Sequence, residues 1–200
     1  MVATPAPIRI AVSGTHSTGK STLLKRLAME LRAHGHKVVC TPGSLANRAA
    51  AMGFPKMRDQ TAATTQWLIA AGICAELEAA LSADVVLVDR SVVDPLAYLL
   101  AGMDQRGQQP EDADRDLLMT MVTAHAAGYD LLLATALDPA VPLGNHRDRD
   151  LAFRASVDHY VHRLLATVKP NRLLVVNTDD SRNRARTAVL TAATQMAAAG

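Results

Sequence analysis

Five short apolar runs limit the folds open to this chain. They are Ile8 to Ser13, Lys37 to Thr41, Asp84 to Asp89, Tyr129 to Ala134 and Arg172 to Val176. Each run is continuous instead of alternating apolar with polar, which is the pattern of strands covered on both faces. Helical patterns separate them. One follows Gly19, runs to Ala33 and closes at Gly35. Thr65 to Leu81 is a strongly apolar second. Asp94-Pro95 opens a third as N-cap and first helical residue, with Leu96, Leu99, Leu100 and Met103 at helical spacing. Asp112 to Ala127 is a fourth. Phe153 to Val168 is a fifth, ending at Pro170, and Thr178-Asp179-Asp180 opens the last. Strands alternating with helices predict an α/β fold around a doubly wound parallel sheet.

The 200 residues suit a single domain spanning 1–200. With 49% hydrophobic and 20% charged residues, the chain can bury one sizeable core and is neither disordered nor collagen-like. A net charge of +2 and only 3% aromatics argue against a nucleic-acid partner, which needs a basic surface or stacking platform. Met1 to Pro7 lacks a basic, apolar leader, and no uncharged apolar stretch reaches the ~18 residues of a membrane span. The expectation is a cytoplasmic protein with no membrane partner. Cys40 and Cys74 have no metal-ligand spacing and are expected to be buried free thiols.

The most specific motif is Gly14-Thr15-His16-Ser17-Thr18-Gly19-Lys20-Ser21, followed by Thr22. It fits G-x-x-x-x-G-K-[ST] between a strand and a helix. Gly14 and Gly19 let backbone N–H groups converge on phosphate oxygens, and the following helix turns its positive end inward. Lys20 is expected to bridge the β- and γ-phosphates and Ser21 to ligate Mg²⁺. His16 reads as a backbone-donor position within the loop. The ligand implied is a nucleoside triphosphate, ATP or GTP.

The third apolar run ends in Asp89-Arg90, at the carboxyl end of a strand where ligands of open α/β sheets gather. Asp89 can hold Mg²⁺ or take a proton from an attacking hydroxyl, and Arg90 can neutralise an acceptor phosphate. The bland alternative is an ion pair capping the strand. Asp94 reads first as an N-cap and second as a substrate ligand. Tyr98, one turn on, faces either the acceptor or the core. Arg48, Gln66 and Trp67 are candidate acceptor contacts, with a surface role for Arg48 and a core role for Trp67 as alternatives. Three arginines, Arg147, Arg149 and Arg154, fall close together before and inside the fifth helix. They read as a lid that screens transferring phosphate, or as a solvated loop paired by Asp148 and Asp150.

These residues resemble the P-loop nucleoside and nucleotide kinases, whose branches include thymidylate kinases, deoxynucleoside kinases and nicotinamide riboside kinases with their AAA domain relatives. Asp89-Arg90, Asp94 and Ala97-Tyr98 are similar to the D-R-x-x-x-S-x-x-A-Y pattern of thymidylate kinases, with Asp94 in place of Ser. The resemblance implies a three-layer α/β/α sandwich with five parallel strands in the order 2-3-1-4-5. It also implies ATP with Mg²⁺, an arginine-bearing lid at about 140–155, a homodimer, and purine contacts near Asn177 to Asp180. One departure stands out: Thr41 replaces the glutamate that such kinases carry before Pro after the second strand. A hydroxyl acceptor then needs another base, and Asp89 is the candidate. The expected activity is phosphoryl transfer to a nucleoside, nucleotide or related small molecule. A nucleotide-hydrolysing switch and a kinase acting on a nucleic-acid base or end are the alternatives.

Overall fold

In the computed structural model the described residues are 6–141, 150–169 and 171–197. The strands are β1 (Ile8–Ser13), β2 (Val38–Cys40), β3 (Val85–Asp89), β4 (Leu131–Thr135) and β5 (Leu173–Val175). All pairings are parallel and the order is β2-β3-β1-β4-β5. The helices are α1 (Lys20–Ala33), α2 (Leu45–Ala51), α3 (Ala62–Ala80), α4 (Val93–Gln105), α5 (Asp112–Ala126), α6 (Leu151–Val168) and α7 (Asp179–Ala197). A 3₁₀ turn at Met57–Asp59 precedes α3.

Alternate strand residues serve opposite faces of the sheet. Ile10, Val12, Val85, Leu87 and Leu133 pack with Leu23, Leu27 and Leu31 of α1 and Val189 of α7. Ala11, Val86, Val88, Leu132 and Ala134 pack with helices α3 to α6. Burial on both faces explains why the runs in sequence are unbroken. The result is a three-layer α/β/α sandwich.

Side-chain caps fix two helix starts. The Thr61 hydroxyl accepts from the Thr64 N–H (3.2 Å), so α3 begins at Ala62, not Thr65. Asp150 accepts from the Phe153 N–H (2.9 Å) and starts α6. Tyr129 was expected to open β4, but its N–H closes the turn after α5 on the Ala126 carbonyl (3.2 Å) and its ring goes into the core. Both cysteines are exposed, contrary to expectation. Cys40 ends an edge strand and Cys74 lies on the outer face of α3, so their apolar neighbours in sequence are not their neighbours in space. Among the described residues, no helix is long and apolar enough to cross a membrane. Pro170 and the arginine-bearing segment 142–149 lie outside the described residues.

Helix α6 packs chiefly on α4, and Phe153 is the centre of that contact. It is wholly buried and meets Tyr98 edge-on, with ring centroids 5.9 Å apart. Phe153→Ala is expected to cost about 3–5 kcal/mol, the usual cost of a buried aromatic truncation. Urea denaturation monitored by circular dichroism checks it.

Candidate active site

The loop from Gly14 to Gly19 joins β1 to α1 at the carboxyl edge of the sheet. Gly14 has φ 146°, and a Cβ there would overlap the side chain and carbonyl of Thr135 at the end of β4. Only glycine lets the two strand ends come this close. Ser17 (φ 58°) and Gly19 (φ 84°) are also left-handed, so the chain curls before α1 begins. Cationic side chains hold the loop carbonyls. Lys20 Nζ donates to the Thr15 carbonyl, Arg154 Nε donates to that of His16 (3.2 Å), and Arg154 Nη2 to that of Ser17 (3.0 Å). The Thr18 hydroxyl donates to the Thr15 carbonyl (3.0 Å) and meets Thr135 Oγ1 at 2.7 Å. Two buried cations on the carbonyl side, with the N-terminus of α1 behind, give the loop the electrostatics of an anion cradle.

Beside it stands the end of β3. The register pairs Val12 with Asp89, so Asp89 lies next to the strand that delivers the loop. Its N–H donates to Thr41 Oγ1 (3.0 Å), which shows what Thr41 does: it is buried and ties β2 to the end of β3. The Asp89 carboxylate occupies the space that a Cβ on Gly43 would need. Arg90 follows at φ 78°, an uncommon conformation for a non-glycine residue and a mark of local strain. Its guanidinium lies 5.6 Å from the Tyr98 ring centre. Burial works against its charge, yet Tyr98, Asp94 and Asp89 together raise its pKa above the usual guanidinium value.

Asp94 is not an N-cap. It lies inside the first turn of α4, 1% exposed, and its Oδ1 accepts from the Gly14 N–H (3.1 Å). The other oxygen has no hydrogen-bond partner among the described residues. The helix starts two residues early, and Ser91 Oγ accepts from the Val93 N–H (3.2 Å) while meeting Ser13 Oγ at 2.5 Å. Asp94 thereby joins the phosphate loop to α4. Burial pushes its pKa up to about 6; Arg90, Lys20 and the Gly14 N–H pull it down, and Asp89 adds to the rise. Tyr98 is buried, and its hydroxyl meets His16 Nδ1 at 3.3 Å, so one residue serves both core and loop.

A cavity of about 430 Å³ opens from this edge between α2, α3 and α4. His16, Asp89, Arg90, Asp94 and Tyr98 line its loop end. Arg48, Gln66 and Trp67 do not line it. Arg48 lies over Trp67 (5.5 Å), which meets Phe54 (5.8 Å), and this cluster fastens α2 to α3 outside the cavity. Gln66 is exposed on α3. Among the lining residues that the sequence did not single out are the buried polar Gln60, Thr64 and Glu76. Gln60 Nε2 donates to Thr65 Oγ1 and to the Pro95 carbonyl, both at 2.7 Å, tying α3 to α4. A carboxylate after the uncharged, largely apolar stretch Trp67 to Ala75 of α3 was the signal for Glu76. A second cleft, of about 300 Å³, runs from Thr18, Gly19 and Thr22 to Asn177 and Arg182. Ser21 and Thr22 are exposed on the first turn of α1. Arg147 and Arg149 lie outside the described residues.

A family model described as an AAA domain matches residues 9–184, from the start of β1 into α7. The chain belongs to this AAA domain family. A search of curated proteins finds no match. Among solved structures, NadR protein in complex with NAD and AMP-PNP is similar with a TM-score of 0.68 at 17% identity, covering 94% of this chain and 50% of that one. NadR protein in complex with NR gives 0.69 at 15%, covering 94% and 52%. Thymidylate kinase from Candida albicans gives 0.63 at 16%, covering 94% and 92%. The chain thus spans about half the length of the NadR chains, and at such identities the likeness is one of fold. The fold is thus one that a thymidylate kinase shares.

For this AAA domain, the donors available to Mg²⁺ are hard oxygens: the Ser21 hydroxyl and the Asp89 carboxylate. No group of three or more His, Cys, Asp or Glu side chains poised for a metal exists among the described residues. Such a set suits an ion that keeps water and phosphate oxygens in its shell.

Asp94 also sets a pH dependence. A carboxyl whose folded pKa is raised from 3.8 to about 6 holds its proton more tightly when folded. Stability therefore falls as pH rises between these values and levels off above them. Asp94→Asn keeps an acceptor for Gly14 and removes that slope. Its melting temperature is expected to gain on the parent between pH 4 and 6.5, and parallel melting curves across this range would refute the assignment.

Proposed function

We propose that this protein is a Mg²⁺- and ATP-dependent phosphotransferase whose acceptor is a nucleoside or a related small molecule bearing a hydroxyl. The observation that carries the reading is a juxtaposition. A phosphate loop with its carbonyls held by Lys20 and Arg154 forms one end of a nucleoside-sized cavity, and Asp89, Arg90 and Asp94 surround that end. The similar structures, NadR with NR or with NAD and AMP-PNP and a thymidylate kinase, support this class.

In this reading Gly14 to Thr22 and Lys20 hold the donor's phosphates. Its purine, from ATP or GTP, takes the cleft between Thr22 and Asn177. Ser21 and Asp89 would hold Mg²⁺, whose charge offsets that of the phosphates. Arg154 keeps the loop in shape from α6, and Arg147 and Arg149 are the lid arginines that would close over it. Asp89 takes the proton from the acceptor hydroxyl, the work that Thr41 cannot do. Arg90 steadies charge at the acceptor end. A hydroxyl acceptor is favoured over a phosphate one because the cavity wall carries three carboxylates, Asp89, Asp94 and Glu76, against Arg90 and Lys56. Cytoplasmic action on small molecules as a homodimer completes the proposal.

The test is incubation with Mg²⁺, ATP or GTP and a panel of nucleosides and nucleotides, with product detection by mass spectrometry. Phosphorylated acceptor is expected, whereas release of phosphate alone would favour a hydrolytic switch. Lys20→Ala is expected to lower transfer by about a hundred- to a thousandfold, with an unchanged circular dichroism spectrum. Full activity in that variant would refute the assignment.

A further inference from the structure

We infer that Glu76, buried in the wall of the cavity, selects an acceptor whose head group presents a hydrogen-bond-donating nitrogen in addition to the hydroxyl that receives the phosphate. This deepens the kinase reading and rests on it.

The placement comes from α3. Thr64, Leu68, Gly72 and Glu76 recur every fourth residue on one face of the helix, and all four line the cavity. From Thr64 to Glu76 the face runs about 18 Å at 1.5 Å per residue. The exposed lining residues, Pro42, Gly43, Ala46, Asn47, Pro55 and Lys56, form the mouth, while Leu68 and Glu76 are buried. Gly72, one turn before Glu76, contributes no side chain, and only Leu45 Cδ1 (3.9 Å) is near where one would start. Space therefore leads down to the carboxylate.

Glu76 is 1% exposed. Tyr129 Oη donates to its Oε1 (2.9 Å), and His125 Nε2 meets its Oε2 (2.7 Å). Both partners come from the end of α5 or just beyond it. Tyr129 Oη also accepts the Val92 N–H (3.2 Å), and the His125 ring meets the Tyr129 ring edge-on with centroids 5.5 Å apart. The carboxylate is thus fixed from behind by a phenol and an imidazole, and among the described residues no Lys or Arg pairs with it. An ionised carboxylate has about four acceptor positions, and two are used here. A buried charge so placed is costly until further donors reach it. The cavity side is where they can come from, and Leu45, Met57 and Leu68 on that side supply none. An amino, amide or cationic nitrogen on the acceptor completes the set, whereas a carboxylate or bare ring edge would leave it unmet.

The experiment uses the full chain, saturating Mg²⁺-ATP and two matched acceptor pairs. Adenosine against purine riboside tests a neutral amino donor. Nicotinamide riboside against nicotinate riboside tests a cationic ring bearing an amide against the same ring bearing a carboxylate. At least one pair should show a preference for the N–H-bearing member of about ten- to a hundredfold in kcat/KM. Which pair it is tells a neutral head group from a cationic one. Glu76→Gln should bring that preference within about threefold through the acceptor KM, leaving the ATP KM unchanged. Tyr129→Phe removes one support and keeps the charge, so it should retain the preference. A purely structural network would instead make both variants lose acceptor binding alike. Equal use of both members by the parent, or an undiminished preference in Glu76→Gln, overturns the inference. Should nothing be phosphorylated, the kinase reading fails by itself. Titration calorimetry of the same pairs without ATP then decides on Glu76: preferential binding lost in Glu76→Gln sustains it, and equal binding overturns it.

Discussion

The hydrogen bond from the Gly14 N–H to Asp94 Oδ1 joins the phosphate loop to the helix that walls the cavity. Everything near the site is arranged to make that bond tolerable. Gly14 must pass so close to Thr135 that no side chain fits, which sets the spacing of β1 and β4 at their carboxyl ends. Ser91 turns the chain early into α4, so Asp94 falls inside the helix and faces the loop. The buried carboxylate is held by Arg90 and Lys20, each also engaged elsewhere: Arg90 over the Tyr98 ring, Lys20 on the Thr15 carbonyl. One backbone donor is thus coupled to two cations of the candidate site.

Much of this was legible before any coordinates. The continuous apolar runs carried the strands because burial on both faces leaves no polar alternation, and the glycine spacing carried the loop because few backbones curl that way. The order 2-3-1-4-5 came from family likeness, since periodicity does not order strands. What stayed hidden depended on partners distant in sequence. Asp94 before Pro95 has the local chemistry of an N-cap, and only the approach of Gly14, 80 residues earlier, converts it into a link between loop and wall. Trp67 and Arg48 are the right types for a substrate contact, yet Phe54 draws them into a cluster outside the cavity. The short helix α2 was missed because its alanine-rich run has neither strand nor amphipathic periodicity. Cys40 and Cys74 show the opposite error, where apolar neighbours in sequence were taken for neighbours in space.

The double service of Arg154 and Tyr98 bears on how the loop keeps its form. Arg154 reaches from α6 to the His16 and Ser17 carbonyls, and Tyr98 reaches from α4 to the His16 ring. Phe153 stands between, packed edge-on against Tyr98 and next in sequence to Arg154. The packing of α4 on α6 therefore does more than fill space. It fixes the two side chains that grip the loop from opposite sides, so a loosening of that core would reach the phosphate cradle without any change in the cradle's own residues. Preorganisation of this kind matters for phosphoryl transfer, where positioned charge supplies most of what a protein contributes.

The charge pattern along the cavity then has a single physical explanation. Cations gather at the loop: Lys20 and Arg154 hold its carbonyls, and Arg90 follows Asp89 beside it. Carboxylates follow, with Asp89 and Asp94 at the junction and Glu76 buried in the wall beyond. A molecule that bridges the two ends must be compatible with negative charge at its head and carry a nucleophilic oxygen toward Asp89. Were the acceptor a phosphate ester, its dianion would lie near Asp89 and Asp94, on which Arg90 and Lys20 are already engaged, and desolvation would magnify the repulsion. A neutral hydroxyl avoids that cost and gains a base. The replacement of glutamate by Thr41 fits the same logic. A further carboxylate beside Asp89 would crowd a site that already has two, and the hydroxyl that stands there instead braces the Asp89 backbone.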